Sequence, residues 1–243
     1  MSAAKRSLIT LFLLILGYQA TYAQFNDTTH YRATLIASGS INKTDEGSSY
    51  LLNNAFNFGI KQKDFTMTAT NSWIYGKQDN TLTNNDFSSA LVFNLYKTFP
   101  HFYYWGLVNY NTSYSLKINN QLLAGGGIAY SFIDEKNAYI NLSDGVLYDQ
   151  SDLLMNVTDD TYRNSLRLQF HFAIKDDFTL DGSNFLQNSF SRGGDYIIRS
   201  TTTAGLKLRK WISLITSLTY NKMSITHSDN LIFTYGLTVD KYF

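Results

Sequence analysis

From about residue 31 onward, apolar and polar positions alternate with a period of two, over stretches longer than the strands of most soluble proteins. In the segment 163–175, Asn164, Leu166, Leu168, Phe170, Phe172 and Ile174 share one side, while Arg163, Ser165, Arg167, Gln169, His171 and Lys175 share the other. The same division sets Phe65, Met67, Ala69, Asn71, Trp73 and Tyr75 against Thr66, Thr68, Thr70 and Ser72, and places Arg199, Thr201, Thr203 and Lys207 on one polar face. A sheet with one apolar and one wet face along every strand is the pattern of a transmembrane β-barrel, whose lipid-facing and lumen-facing positions alternate.

Between turn signals the pattern predicts about twelve strands, at 31–43, 48–61, 64–77, 83–97, 101–115, 119–132, 136–149, 160–175, 178–190, 194–208, 212–224 and 230–243. An even count suits an all-β, antiparallel up-and-down barrel in a single domain over 24–243. With the start of that domain in the periplasm, short periplasmic turns fall at Gln62-Lys63, Phe99-Pro100, Asp134-Glu135, Asp176-Asp177 and Arg209-Lys210-Trp211. Longer, more polar outer loops are expected at 44–47, 77–84 and 150–159. The only proline lies in a turn, where its missing amide hydrogen breaks no ladder. Pairing Ile174 with Phe178 across one turn brings His171 opposite Asp181 on the polar face, so the assignment is self-consistent. The segments 103–114 and 122–132 leave their faces open, because aromatic residues or glycines occupy both. Gly125-Gly126-Gly127 reads as a bend or a crowded interior; its spacing does not match a phosphate-binding loop.

Composition adds the compartment. Lys5 and Arg6, an apolar run from Ser7 to Gly17 and the small-x-Ala site Thr21-Tyr22-Ala23 read as a secretory signal over 1–23. No later stretch approaches the roughly 20 apolar residues of a spanning helix. The chain has no cysteine, which excludes disulfides, a thiol nucleophile and a lipidated cysteine. A mean hydropathy of -0.19 fits a barrel whose polar lumen offsets its greasy exterior, and a formal charge of +1 gives no reason to expect nucleic acid as a partner. Trp73, Trp105 and Trp211 are candidates for interfacial girdles.

Candidate chemistry centres on the polar face. A lipid-modifying enzyme would need a serine, a histidine and an orienting group together. Of His30, His101, His171 and His227, His171 alone falls well inside the wall, where it is expected to hydrogen-bond within a charged ladder. Asp144 and Asp149, or Asp152, Asp159 and Asp160, are conceivable paired carboxylates, the latter group placed in a loop. That loop lacks the glycine and terminal glutamate of a calcium loop, and neither a metal site nor a cofactor is expected. Arg163, Arg167, His171, Asp181, Arg199 and Lys207 are expected to line the lumen on neighbouring strands with a net basic balance. Two readings of that lining stay open: a solute conduit, or a salt-bridge ladder that plugs a narrow barrel.

Segments of the second half carry a resemblance. Leu123-Ala124-Gly125-Gly126-Gly127-Ile128-Ala129-Tyr130, Arg163-Asn164-Ser165-Leu166-Arg167-Leu168, Phe178-Thr179-Leu180-Asp181 and Tyr196-Ile197-Ile198-Arg199-Ser200 set the pattern. Gly205-Leu206-Lys207-Leu208 and the run from Leu214 to Tyr220 complete it. Together they resemble the salt-induced outer-membrane protein family, a domain of unknown function in bacterial envelopes. The resemblance implies a barrel of this size in the outer membrane and brings no activity with it. The terminal Leu237, Val239, Tyr242 and Phe243 resemble the strand read by the barrel-assembly machinery, although Lys241 stands where a bulky apolar residue is usual. The expected function is a non-enzymatic envelope protein with a narrow pathway or binding cavity for small polar solutes. Its expected partners are outer-membrane lipids, lipopolysaccharide and, during insertion, the assembly machinery. A surface interaction protein acting through its outer loops, or a membrane-embedded lipid-modifying enzyme, are the alternatives.

Overall fold

The computed structural model describes residues 30–45, 47–135, 137–154, 157–175 and 177–243, side chains at 97–99 excepted. The expected leader over 1–23 lies outside the described residues. Twelve antiparallel strands are present among them: β1 (Tyr31–Lys43), β2 (Ser48–Gln62), β3 (Phe65–Gln78), β4 (Thr81–Phe99), β5 (Phe102–Ser113), β6 (Ile118–Glu135), β7 (Ala138–Leu153), β8 (Val157–Ile174), β9 (Phe178–Ser189), β10 (Tyr196–Arg209), β11 (Ile212–Met223) and β12 (Ser228–Tyr242). Each pairs with its sequence neighbours, and β1 closes on β12 from Arg32↔Tyr242 to Gly39↔Tyr235, so no edge remains.

The alternation read from the sequence sorts the side chains as expected. Leu35, Phe56, Trp73, Leu91, Tyr104, Ile128, Leu166, Leu206, Leu218 and Phe233 are exposed on the outside, and Thr34, Asn109, Gln121, Asp149, Arg163 and Thr234 are buried within. A barrel that is greasy outside and polar inside inverts a soluble protein and calls for an apolar surrounding. The observed pairs include His171↔Asp181 and Ile174↔Phe178, the register inferred from the turn chemistry.

Two expectations are corrected. The connections at 77–84 and 150–159 are not long loops: β3 and β4 are joined by Asp79-Asn80 alone, and β7 and β8 run on to Leu153 and from Val157. Asp79 and Asn80 have φ of 48° and 64°, the left-handed pair that a two-residue hairpin turn needs. Polar residues there belong to strands that continue past the apolar band, so polarity was mistaken for looping. The second correction concerns Trp105, which is 4 % exposed and packs inside with Tyr103, Leu107, Ala129 and Leu147 instead of joining a girdle.

That inward tryptophan explains Gly145. Gly125 and Gly127 share the inward parity of Leu123, and Gly127 pairs with Gly145 on β7. A Cβ on Gly145 would stand 2.6 Å from the Trp105 ring and 2.5 Å from the Gly126 carbonyl oxygen. The smooth wall admits the indole, whose Nε1 donates to the Ile128 carbonyl at 3.3 Å. Gly145 is therefore the packing surface for the ring, while a Cβ on Gly125 or Gly127 would clash with the Val146 or Asp144 carbonyl oxygen of β7, respectively.

Candidate functional site

The lumen is the candidate site, and its contents change along its length. At the end opposite to the chain ends, here the far end, Leu116, Ile118, Leu153, Ile197 and Met223 form a buried apolar cluster. Just inside it lies an ionic knot. Arg163 on β8 is fully buried; its Nε donates to Asp149 on β7 at 2.5 Å, and its Nη1 and Nη2 each donate to Asp195 at 2.9 Å. Asp195 lies in the β9–β10 connection, where Gly194 at φ 79° takes the left-handed bend. Asp159 stands 3.7 Å from Arg163 and pairs with Arg192 at 2.9 Å. Asp149 also accepts from Gln121 Nε2 and from Ser151 Oγ, so its lone pairs are well occupied.

Arg199 on β10 reaches across the barrel. Its Nη1 donates to Asn109 on β5 at 3.2 Å and its Nη2 to Gln121 on β6 at 2.8 Å. A second crossing, Asn230 Nδ2 to Ser115 Oγ at 2.8 Å, joins β12 to the β5–β6 turn. Deeper, Arg167 donates to Ser143 at 3.0 Å and lies 5.1 Å over the Trp105 ring and 5.8 Å from that of Phe185. Packing is therefore dense along the walls made by β5–β8.

The opposite wall is different. Among the inward residues of β1–β4, Ser38, Ser40, Asn53, Ala55, Thr70, Ser72 and Ser88 are small and only half-buried and Thr68 is exposed, with Ile36, Leu51 and Ile74 the bulkier members of that face; Ser183, Thr201, Thr203 and Ser217 on β9–β11 are half-buried as well. In a closed sheet such exposure comes from the lumen. Toward the chain ends, here the near end, lies a cavity of about 380 Å³ lined by Arg32, Thr34, Asn57, Gly59, Ile60, Lys61, Thr66, Thr68, Thr70 and Tyr139. Tyr139 stacks on His171, whose Nδ1 is 2.7 Å from Asp181 Oδ1. Arg32 is held by Asp240 through Nε and Nη2 at 3.1 and 2.9 Å.

All six expected lumen residues have inward parity, but they do not form one basic filter. His171 and Asp181 pair, Lys207 sits near the near end of β10, and Arg163, Arg167 and Arg199 are built into the filling. Carboxylates offset part of the expected basic lining around Arg163: Arg163 pairs with Asp149 and Asp195 and Arg192 with Asp159, while Arg199 donates to amide oxygens of Asn109 and Gln121. Asp159 belongs to β8 and points inward, not to a solvated loop; Asp144, Asp152 and Asp160 point outward. The parity of β7 contained the signal for Asp149, since it shares a face with Leu147 and Ser151. Asp195 had no such signal, because a turn residue has no parity. Arg32, Lys61, Tyr139 and Asp240 were also missed, though their parity was readable.

Several solved structures share this architecture. The NanC porin aligns with a TM-score of 0.53 at 9 % identity, covering 86 % of this chain and 99 % of that one. An outer-membrane channel from Pseudomonas putida F1 gives 0.53 at 8 %, covering 93 % and 100 %. The translocator domain of the autotransporter NalP from Neisseria meningitidis gives 0.50 at 12 %, covering 97 % and 95 %. At these identities the likeness is one of fold, that of the porin- and channel-like outer-membrane β-barrels. No curated protein matches the sequence. A family model does: residues 36–231 match the one described as protein of unknown function, DUF481, and the chain belongs to that family.

Proposed function

We propose that this protein is a non-enzymatic barrel of the bacterial outer membrane that passes small polar solutes through a narrow groove along its β1–β4 wall. The observation that carries the reading is the contrast between the two sides of the lumen. Across β5–β8, Arg163, Gln121, Leu123, Leu147 and Asp149 have no exposure at all, whereas Ser38, Asn53, Thr70 and Ser72 facing them keep part of theirs. The dense side stiffens a barrel of a size that is neither surely filled nor surely open. Small hydroxyl and amide side chains on the other side suit a hydrated path with little charge selection. The outer face meets lipid, and the far mouth would meet lipopolysaccharide. A loop-based surface role has little to work with, because the far-end connections are short, the longest being Phe190–Asp195. His171 is hydrogen-bonded to Asp181, with no hydroxyl nucleophile bonded to it among the described residues.

Planar-bilayer recordings of the refolded protein test the proposal. Wild type should give small discrete conductance steps with weak ion preference, and Thr70→Trp, which fills the groove, should remove them while the barrel still inserts. Inserted wild-type protein that never conducts would overturn the pathway.

A further inference from the structure

The near-end cavity has a chemistry of its own. Two cations, Arg32 on β1 and Lys61 on β2, stand in its lining with no carboxylate among the lining residues. Asp240 restrains Arg32 from behind: it accepts from Arg32 and from Thr34 Oγ1 at 2.6 Å, while the Arg32 side chain stays 40 % exposed. Lys61 is exposed and free of any ion pair among the described residues. Thr66, Thr68 and Thr70 present three hydroxyls at the two-residue spacing of one strand face. Across from them Tyr139 is held flat by its stack on His171.

We infer that this cavity is a binding vestibule for a small polyhydroxylated carboxylate. The carboxylate meets Arg32 and Lys61, the hydroxyls exchange hydrogen bonds with the threonine row, and Tyr139 supplies an apolar platform. Neither a neutral sugar nor a simple anion satisfies both halves: the first leaves Lys61 without a counter-charge, the second leaves the threonine hydroxyls unmatched. A cavity of about 380 Å³ lies in the range of small-molecule sites. The inference rests on the pathway reading in that the vestibule would open onto the proposed path, and it names the solute class bound at the near end of it.

Calorimetric titration of refolded protein with gluconate, glucose and acetate separates the possibilities. We expect saturable binding of gluconate, at least tenfold weaker binding of glucose and of acetate, and a tenfold loss for gluconate in Lys61→Glu. Thr68→Val, a near-isosteric change on an exposed hydroxyl, should weaken gluconate several-fold and leave acetate unchanged. Equal binding of glucose and gluconate, or wild-type affinity in Lys61→Glu, overturns the inference, as does absence of saturable gluconate binding by protein shown to be folded by its heat-modifiable gel mobility. Conductance measured on the same preparation keeps the two readings apart: binding without conductance removes the pathway and retains the vestibule, and conductance without binding does the reverse.

Discussion

At the scale of single residues, the least replaceable side chain is Arg163. It takes its charge fully out of water and depends on Asp149 and Asp195 to compensate. Arg163→Ala leaves two buried carboxylates without their cation, so we expect a loss of about 3–5 kcal/mol in urea titrations of the barrel in lipid vesicles. Arg163→Ala combined with Asp149→Asn and Asp195→Asn should lose less than Arg163→Ala alone, because fewer uncompensated charges remain. A triple variant as weak as the single one would mean that packing, not charge, is what Arg163 supplies. Asp144 is the opposite case. It points outward from the middle of β7, between Leu142 and Val146, and is held by the Asn164 amide at 2.7 Å and the Gly145 N–H at 2.9 Å. A carboxylate within an apolar band is costly even when hydrogen-bonded, so Asp144→Leu should raise stability by about 1–2 kcal/mol in the same assay. A neutral or lower value would show that this patch does not face hydrocarbon. The inward placing of Arg163, Arg167 and Arg199 was legible from parity alone. Their electrostatic balance was not, since Asp195 reaches them from a turn and Asp159 stood in what composition presented as a loop.

At the scale of strands, legibility depended on how cleanly each segment alternates. The faces of β3, β8 and β10 were readable because they differ in chemistry, although β8 begins at Val157, inside what read as a loop. β5 and β6 were not, because aromatic rings occur on both faces of one and glycines on both faces of the other. The structure shows why such a pair still has a single register: Gly145 on β7 seats Trp105, the inward glycines of β6 let that strand lie close against the β7 backbone, and outward Gly106 is covered by the Phe93 ring, against which its Cβ would clash. Gly145→Val tests this. Its added carbons meet both the indole and the Gly126 carbonyl, so we expect a loss of about 2 kcal/mol or more and a shifted tryptophan emission. Trp105→Leu in the same chain should restore only part of it, because the backbone contact remains. Full restoration would mean that the strands can move apart and that the ring alone imposes the glycine. Strand ends were misjudged where polar strand residues outlast the apolar band, and the Asp79-Asn80 turn shows how little loop is needed there.

At the scale of the whole molecule, closure of the sheet, strand number and the sorting of faces all followed from a period of two, because a barrel has one inside and one outside and every strand must respect both. What the lumen contains did not follow, because filling is decided by contacts between strands far apart in sequence. Arg199 to Asn109 and Asn230 to Ser115 are separated by 90 and 115 residues. These crossings tie opposite walls together across the bore and, under the proposed pathway along β1–β4, give the basic residues a bounding role instead of ion selection. Reversing the charge of Arg199 would therefore test the wrong quantity, since a carboxylate there would face the oxygens of Asn109 and Gln121. Removing its length is the informative change. If Arg199 bounds the groove, Arg199→Ala should raise unit conductance by roughly a factor of two with little change in anion preference, as a wider but no less neutral path requires. An unchanged conductance with reduced anion preference would instead restore Arg199 to the role of a filter and place the path on its own side of the barrel.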